Sequence, residues 1–189
     1  GYSGEVLLPM TLTAPANAPV GQTITLKAAA AFLVCEEICI PEDALLELTL
    51  PVQGKPAQPS GRWAAPIGRA LEAAPQRADL VATFENSDQG LRLAVTGAPL
   101  TDADLAGSYF FPFDGAVIDH AAAQTIERGP QGLTLGLTAS YAFQGPEPPQ
   151  VMAGVLKAGD AYYEIEAQAG PLSPEASGLG PPAARSGGL

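Results

Sequence analysis

The chain has 189 residues and a formal charge of −11, with 20 Asp and Glu against nine Lys and Arg, so a phosphate backbone is repelled and nucleic acid is not an expected partner. Hydrophobic residues make up 47% and charged ones 15%, a globular composition rather than a disordered one, and the length suits one large or two small domains. The longest apolar run, Ala28 to Cys35, falls far short of the ~20 residues of a membrane helix, so this segment is not expected to span a membrane itself.

The opening Gly1-Tyr2-Ser3-Gly4-Glu5 shows no basic region leading an apolar one. A removed leader or a fragment of a longer protein is the expectation. Glu5 to Thr13 reads as a first strand, because Val6, Leu8, Met10 and Leu12 alternate with more polar positions. Pro15, Pro19 and Gly21 mark a loop. From Thr23 to Cys35, residues Ile24, Leu26, Ala28, Ala30, Phe32 and Val34 share one parity, hence one face of a strand. Cys39 to Leu50 returns with Ile40, Ala44, Leu46, Leu48 and Leu50 on that same parity, Glu42 being the exception.

A single hairpin register satisfies both segments. Opposing Cys35 to Cys39 across Glu36-Glu37-Ile38 sets Lys27 against Glu47, Thr25 against Thr49, Leu26 against Leu48 and Ile24 against Leu50. A slip of one residue would turn every apolar side chain to the other face. Pro51 to Ser60 reads as a linker and Arg62 to Ala74 as a short helix with Pro66 in its first turn. Strands are then expected over Leu80–Glu85, Leu91–Thr96, Ser108–Phe111, Leu133–Thr138, Val151–Leu156 and Ala161–Ala167, spacing that fits a β-sandwich. From Gly170 the sequence is Pro, Gly, Ser and Ala with little apolar bulk to offset ordering entropy, and a flexible tether is expected.

The two cysteines carry the chemistry. A fully extended chain separates the α-carbons of Cys35 and Cys39 by ~13 Å, whereas a disulfide needs ~4.4–6.8 Å, and the hairpin brings them together. Three readings compete. As a structural staple, a five-residue ring removes only about 2 kcal/mol from the unfolded state, against ~3 for a 15-residue ring. As a metal site, two thiolates could hold Cu(I) with His120 or a carboxylate, while zinc lacks a full set of Cys and His ligands. As a redox pair, an exposed ring at a hairpin tip is opened by a partner's thiolate through a mixed disulfide. Glu36 and Glu37 should raise the thiol pKa values, which suits a relay that reacts when docked better than a free oxidant.

The runs Gly4-Glu5-Val6-Leu7-Leu8-Pro9 and Phe32-Leu33-Val34-Cys35-Glu36-Glu37-Ile38-Cys39-Ile40-Pro41-Glu42 resemble the periplasmic N-terminal region of DsbD-type protein-disulfide reductases, in particular the ScsB-like branch. Tyr109-Phe110-Phe111-Pro112 and Val151-Met152-Ala153-Gly154-Val155-Leu156 are similar to that branch too. The resemblance implies an immunoglobulin-like sandwich, with first strands missing here, followed by a second β domain. It implies a periplasmic protein-disulfide reductase module in which Cys35 and Cys39 are the catalytic pair, with no cofactor and no metal. Electrons would come from a membrane electron-transporter domain of the same protein and pass to periplasmic thioredoxin-like or peroxiredoxin-type proteins.

The expected organisation is therefore all-β. Residues 1–52 form part of the immunoglobulin-like thiol–disulfide domain, 53–78 a linker with the helix, 79–169 a second β-sandwich and 170–189 a tether. His120, the single histidine, is read as a surface or hydrogen-bonded residue, and Tyr109, Phe110, Phe111 and Phe113 as sandwich core. A Cu(I)-binding domain using Cys35 and Cys39 is the competing function.

Overall fold

Two long strands of matched apolar parity find each other first in the chain. In a computed structural model that describes residues 4–36, 38–56 and 61–183, β1 (Thr23–Cys35) pairs antiparallel with β2 (Cys39–Pro51) from Thr23↔Pro51 to Cys35↔Cys39. The expected register holds at every pair. Lys27 Nζ lies 2.7 Å from Glu47 and the Thr25 and Thr49 hydroxyls are 3.0 Å apart, so the two polar cross-strand pairs are made. The chain divides into two units, Gly1–Ala73 and Ala74–Leu189.

In the first unit the hairpin is a two-stranded sheet on its own among the described residues. Its apolar face is half-buried at Ile24, Leu26, Ala28 and Ala30 and exposed at Phe32, Val34, Ile40 and Leu46. The strand expected over Glu5–Thr13 does not form. Its alternation is real, but those residues have no strand beside them, and Met10 stays 77% exposed. Period-two patterning needs a bonded neighbour to become a strand. The helix α1 (Ala64–Glu72) forms within the expected span, with Pro66 in its first turn where no intrahelical N–H is required. Trp63 precedes it, with the Arg62 guanidinium 5.0 Å from its ring centroid.

The second unit is built on β3 (Val81–Ser87), β4 (Gly90–Thr96), β5 (Tyr109–Pro112), β6 (Thr125–Gly129), β7 (Gly132–Leu137), β8 (Val151–Ala158) and β9 (Ala161–Ala169). They form one seven-stranded sheet in the order β5-β8-β9-β3-β4-β7-β6, all antiparallel except β3 with β9. A short helix α2 (Ala98–Thr101) follows β4. The alternating residues of these strands close on one core that includes Phe84, Leu93, Phe110, Leu133, Leu135 and Leu156, each at most 2% exposed. All-β is the observed class, and this curled sheet around a shared core is consistent with an immunoglobulin-like sandwich. Six strands fall where the sequence places them. The seventh, β6, has no counterpart among the expected strands, because Glu127 and Arg128 break its alternation within five residues.

From Gly170 a flexible tether is expected. Residues 170–180 lie against the sheet: Gly170 N–H donates to Phe84 C=O (2.9 Å), Gln131 N–H to Glu175 C=O (3.0 Å) and the Thr134 hydroxyl to Ala176 C=O (3.0 Å). Ala176 is fully buried. The segment is held by backbone hydrogen bonds and one small apolar side chain rather than by bulk, which composition does not register. Residues 184–189 lie outside the described residues. No helix among the described residues is long and apolar enough to cross a membrane.

Candidate functional site

Cys35 ends β1, Cys39 begins β2, and they are joined by a disulfide with a Cα–Cα separation of 4.0 Å. The position within the ladder accounts for that closeness. Val52 N–H donates to Gln22 C=O (2.8 Å) one step beyond the Thr23↔Pro51 pair. Even-numbered residues therefore bond across the ribbon, and odd-numbered ones direct N–H and C=O outward. Pro41 and Pro51, which have no N–H, both fall on odd positions. Cys35 and Cys39 form a non-hydrogen-bonded pair, the type in which opposed α-carbons approach most closely.

Both cysteines are exposed. The turn between them is tied by Glu36 N–H donating to Ile38 C=O (3.2 Å), and Glu37 lies outside the described residues. Beside the disulfide is a depression of about 380 Å³ lined by Val34, Cys35, Glu36, Ile38 and Ile40. Ile38 is 72% and Leu33 65% exposed, so the sulfurs sit on an apolar tip open to solvent rather than in a core. The cation nearest along the strands, Lys27, is engaged by Glu47, leaving Glu36, Glu42 and Asp43 to set the sign of charge toward the tip. Such a tip can admit another protein's sulfur, and its ring can open without disturbing any buried residue.

The cysteine pair is the part of the site that the sequence brings forward. The apolar lining from Val34, Ile38 and Ile40, all three exposed, is not. Among the described residues no three His, Cys, Asp or Glu side chains come together as a metal-ligand set. His120 belongs to the second unit, where its Nε2 lies 3.2 Å from the Gly115 carbonyl. The aromatic run divides by parity: Phe110 is fully buried, while Phe111 (46%) and Phe113 (63%) face outward, so only part of the run serves as core. Tyr109 stacks at a tilt on Phe111, 4.6 Å between ring centroids.

No family model matches the chain. No curated protein matches it either. Among solved structures, it is similar to the N-terminal periplasmic domain of ScsB from Proteus mirabilis, with a TM-score of 0.51 at 12% identity over 82% of this chain and 75% of that one. The fold of this chain is thus similar to that of the ScsB N-terminal periplasmic domain.

Proposed function

We propose that the chain is a periplasmic thiol–disulfide exchange module acting as an electron relay of a protein-disulfide reductase. The observation that carries this reading is the Cys35–Cys39 disulfide at an exposed hairpin tip, and the likeness to a periplasmic ScsB domain supports it. In the loading direction, a donor thiolate attacks one sulfur of the pair, the Cys35–Cys39 bond breaks, and the other sulfur leaves as a thiolate that takes a proton. The donor's second thiol then attacks the mixed disulfide. The donor ends as a disulfide and this chain as a dithiol, with two electrons and two protons transferred. In the delivery direction the dithiol repeats these steps on a target disulfide.

Charge qualifies how the dithiol reacts. Glu36 places a carboxylate next to Cys35, and on this reading the pair reacts with a docked partner rather than by free collision. Electrons would enter from a membrane electron-transporter domain of the same protein and leave to periplasmic thioredoxin-like or peroxiredoxin-type proteins.

Two measurements test the reading. Equilibration with dithiothreitol buffers should give a reduction potential above about −300 mV, and a value below that would mark a structural bond instead. With Cys35→Ser and Cys39→Ser, one variant should trap a periplasmic protein covalently and neither should turn over. Retained turnover in either single variant would refute the paired mechanism.

A further inference from the structure

The charges around the reacting bond are one-sided. Glu36 follows Cys35 directly, and its N–H donates to the Ile38 carbonyl within the ring that the disulfide closes. Its carboxylate therefore stays beside the sulfurs by covalent connection, whatever else packs on the ribbon. The sequence sets Glu37, outside the described residues, in the same ring. On β2, Glu42 and Asp43 follow Cys39 within ~14 Å of strand. The basic residue of these two strands is Lys27, ~27 Å back from Cys35 along β1 and paired with Glu47.

Thiol–disulfide exchange is sensitive to that arrangement because its attacking sulfur is an anion. An incoming group that carries further negative charge is repelled, and one that carries positive charge is drawn in. At ~6 Å in water, one carboxylate changes the approach of one unit charge by about threefold in rate, and salt screens the effect. Small acidic thiols and disulfides thus meet a barrier that a sulfur set among basic side chains does not.

We infer that the carboxylates of the ring, Glu36 foremost, select the partner by charge: the cysteine that exchanges with Cys35–Cys39 lies on a surface of Lys or Arg, and small anionic thiols are turned away. This rests on the exchange function proposed above and names its substrate class. A relay gains from such a filter, because electrons held by the pair are kept from acidic thiols and disulfides around it. The depression lined by Val34, Ile38 and Ile40 offers apolar contact to any partner, so discrimination falls to the carboxylates.

The reduced full chain tests this with two small disulfides of opposite charge, cystamine and dithiodipropionate. A thiolate of the pair attacks either one, whose S–S bond breaks and releases one small thiol. The second cysteine then closes the Cys35–Cys39 bond and releases the other, so the chain gives up the two electrons that the small disulfide gains. Both reactions use the same nucleophile, so its ionisation cancels from the ratio of rates. The ratio that mercaptoethanol gives with the same two disulfides corrects for the leaving groups. At low salt the corrected ratio should favour cystamine about tenfold, and it should approach unity in molar salt. Glu36→Gln together with Glu37→Gln should lower it below about threefold, while Glu36→Asp should keep it. A wild-type ratio near unity, or one that salt leaves unchanged, would overturn the inference, as would full discrimination in the double variant. A chain that reacts with both small disulfides but exchanges with no dithiol protein would instead sink the exchange function itself.

Discussion

The hairpin of the first unit and the sheet of the second contain strands of similar apolar content but use them in opposite ways. In β1 and β2 the alternating face remains largely in contact with water, with Leu46 at 54% and Leu48 at 56% exposure. In β4 and β7 the same alternation buries Leu93, Leu133 and Leu135 completely. One region holds its shape through a dense core and plugged edges, while the other keeps a disulfide at the end of a thin ribbon. On the exchange function proposed above, the exposure of Cys35 and Cys39 leaves the sulfurs within reach of another protein.

That contrast predicts unequal costs for equal deletions. Leu133→Ala empties a fully buried site in β7 and should destabilise the second unit by about 2–5 kcal/mol. Leu46→Ala removes a side chain already half in water and should cost no more than about 0.5 kcal/mol. Urea denaturation, followed with fluorescence and circular dichroism, compares the two. Similar losses would mean that the hairpin face is covered in solution and would break the comparison.

The edge plugs come next in size. Gln124→Ala leaves the Phe110 N–H and C=O without partners and should cost about 1–3 kcal/mol. It also bares β5, so concentration-dependent association should appear by sedimentation. Wild-type behaviour on both counts would show that the edge needs no plug. At the opposite end, Thr134→Val keeps the shape of a buried side chain and removes its bond to the Ala176 carbonyl. A loss of about 1 kcal/mol is expected, with faster limited proteolysis within residues 170–180. Unchanged proteolysis would mean the backbone bonds alone hold that segment.

The same contrast governs how much of the fold is legible in the amino-acid sequence. The hairpin register is legible because Lys27 with Glu47, Thr25 with Thr49 and the two cysteines all demand one alignment, and each lies on a fixed parity. Glu5 to Thr13 misleads because alternation reports a strand's two faces and says nothing of whether a neighbour exists to bond it. The docking of residues 170–180 is hidden for the converse reason, since its bonds run through backbone groups that every sequence possesses. At the site, the cysteines are evident from their spacing. The apolar lining of Val34, Ile38 and Ile40 is not, because alternation does not tell which face stays open to water.

The smallest effect expected concerns a surface pair of the second unit. Arg77 Nη2 lies 2.9 Å from Glu164 Oε1, and Arg77 Nε donates to Oε2 at 3.3 Å, joining the segment before β3 to β9. The hydrogen bond from Arg77, helped by its charge, holds the Glu164 carboxyl below the usual glutamate range, and Glu164 in turn raises Arg77. A carboxyl whose folded pKa is depressed contributes stability that is full above its unfolded value and is lost as pH falls through the folded one. The stability gap between wild type and Glu164→Gln should therefore be constant near neutrality and close as the pH drops below the ordinary glutamate range. Arg77 is well solvated and Glu164 partly so, and the gap should therefore be small and should shrink further in high salt. A gap that widened on acidification would reverse the sign of the linkage and show that the pair does not join these strands in solution.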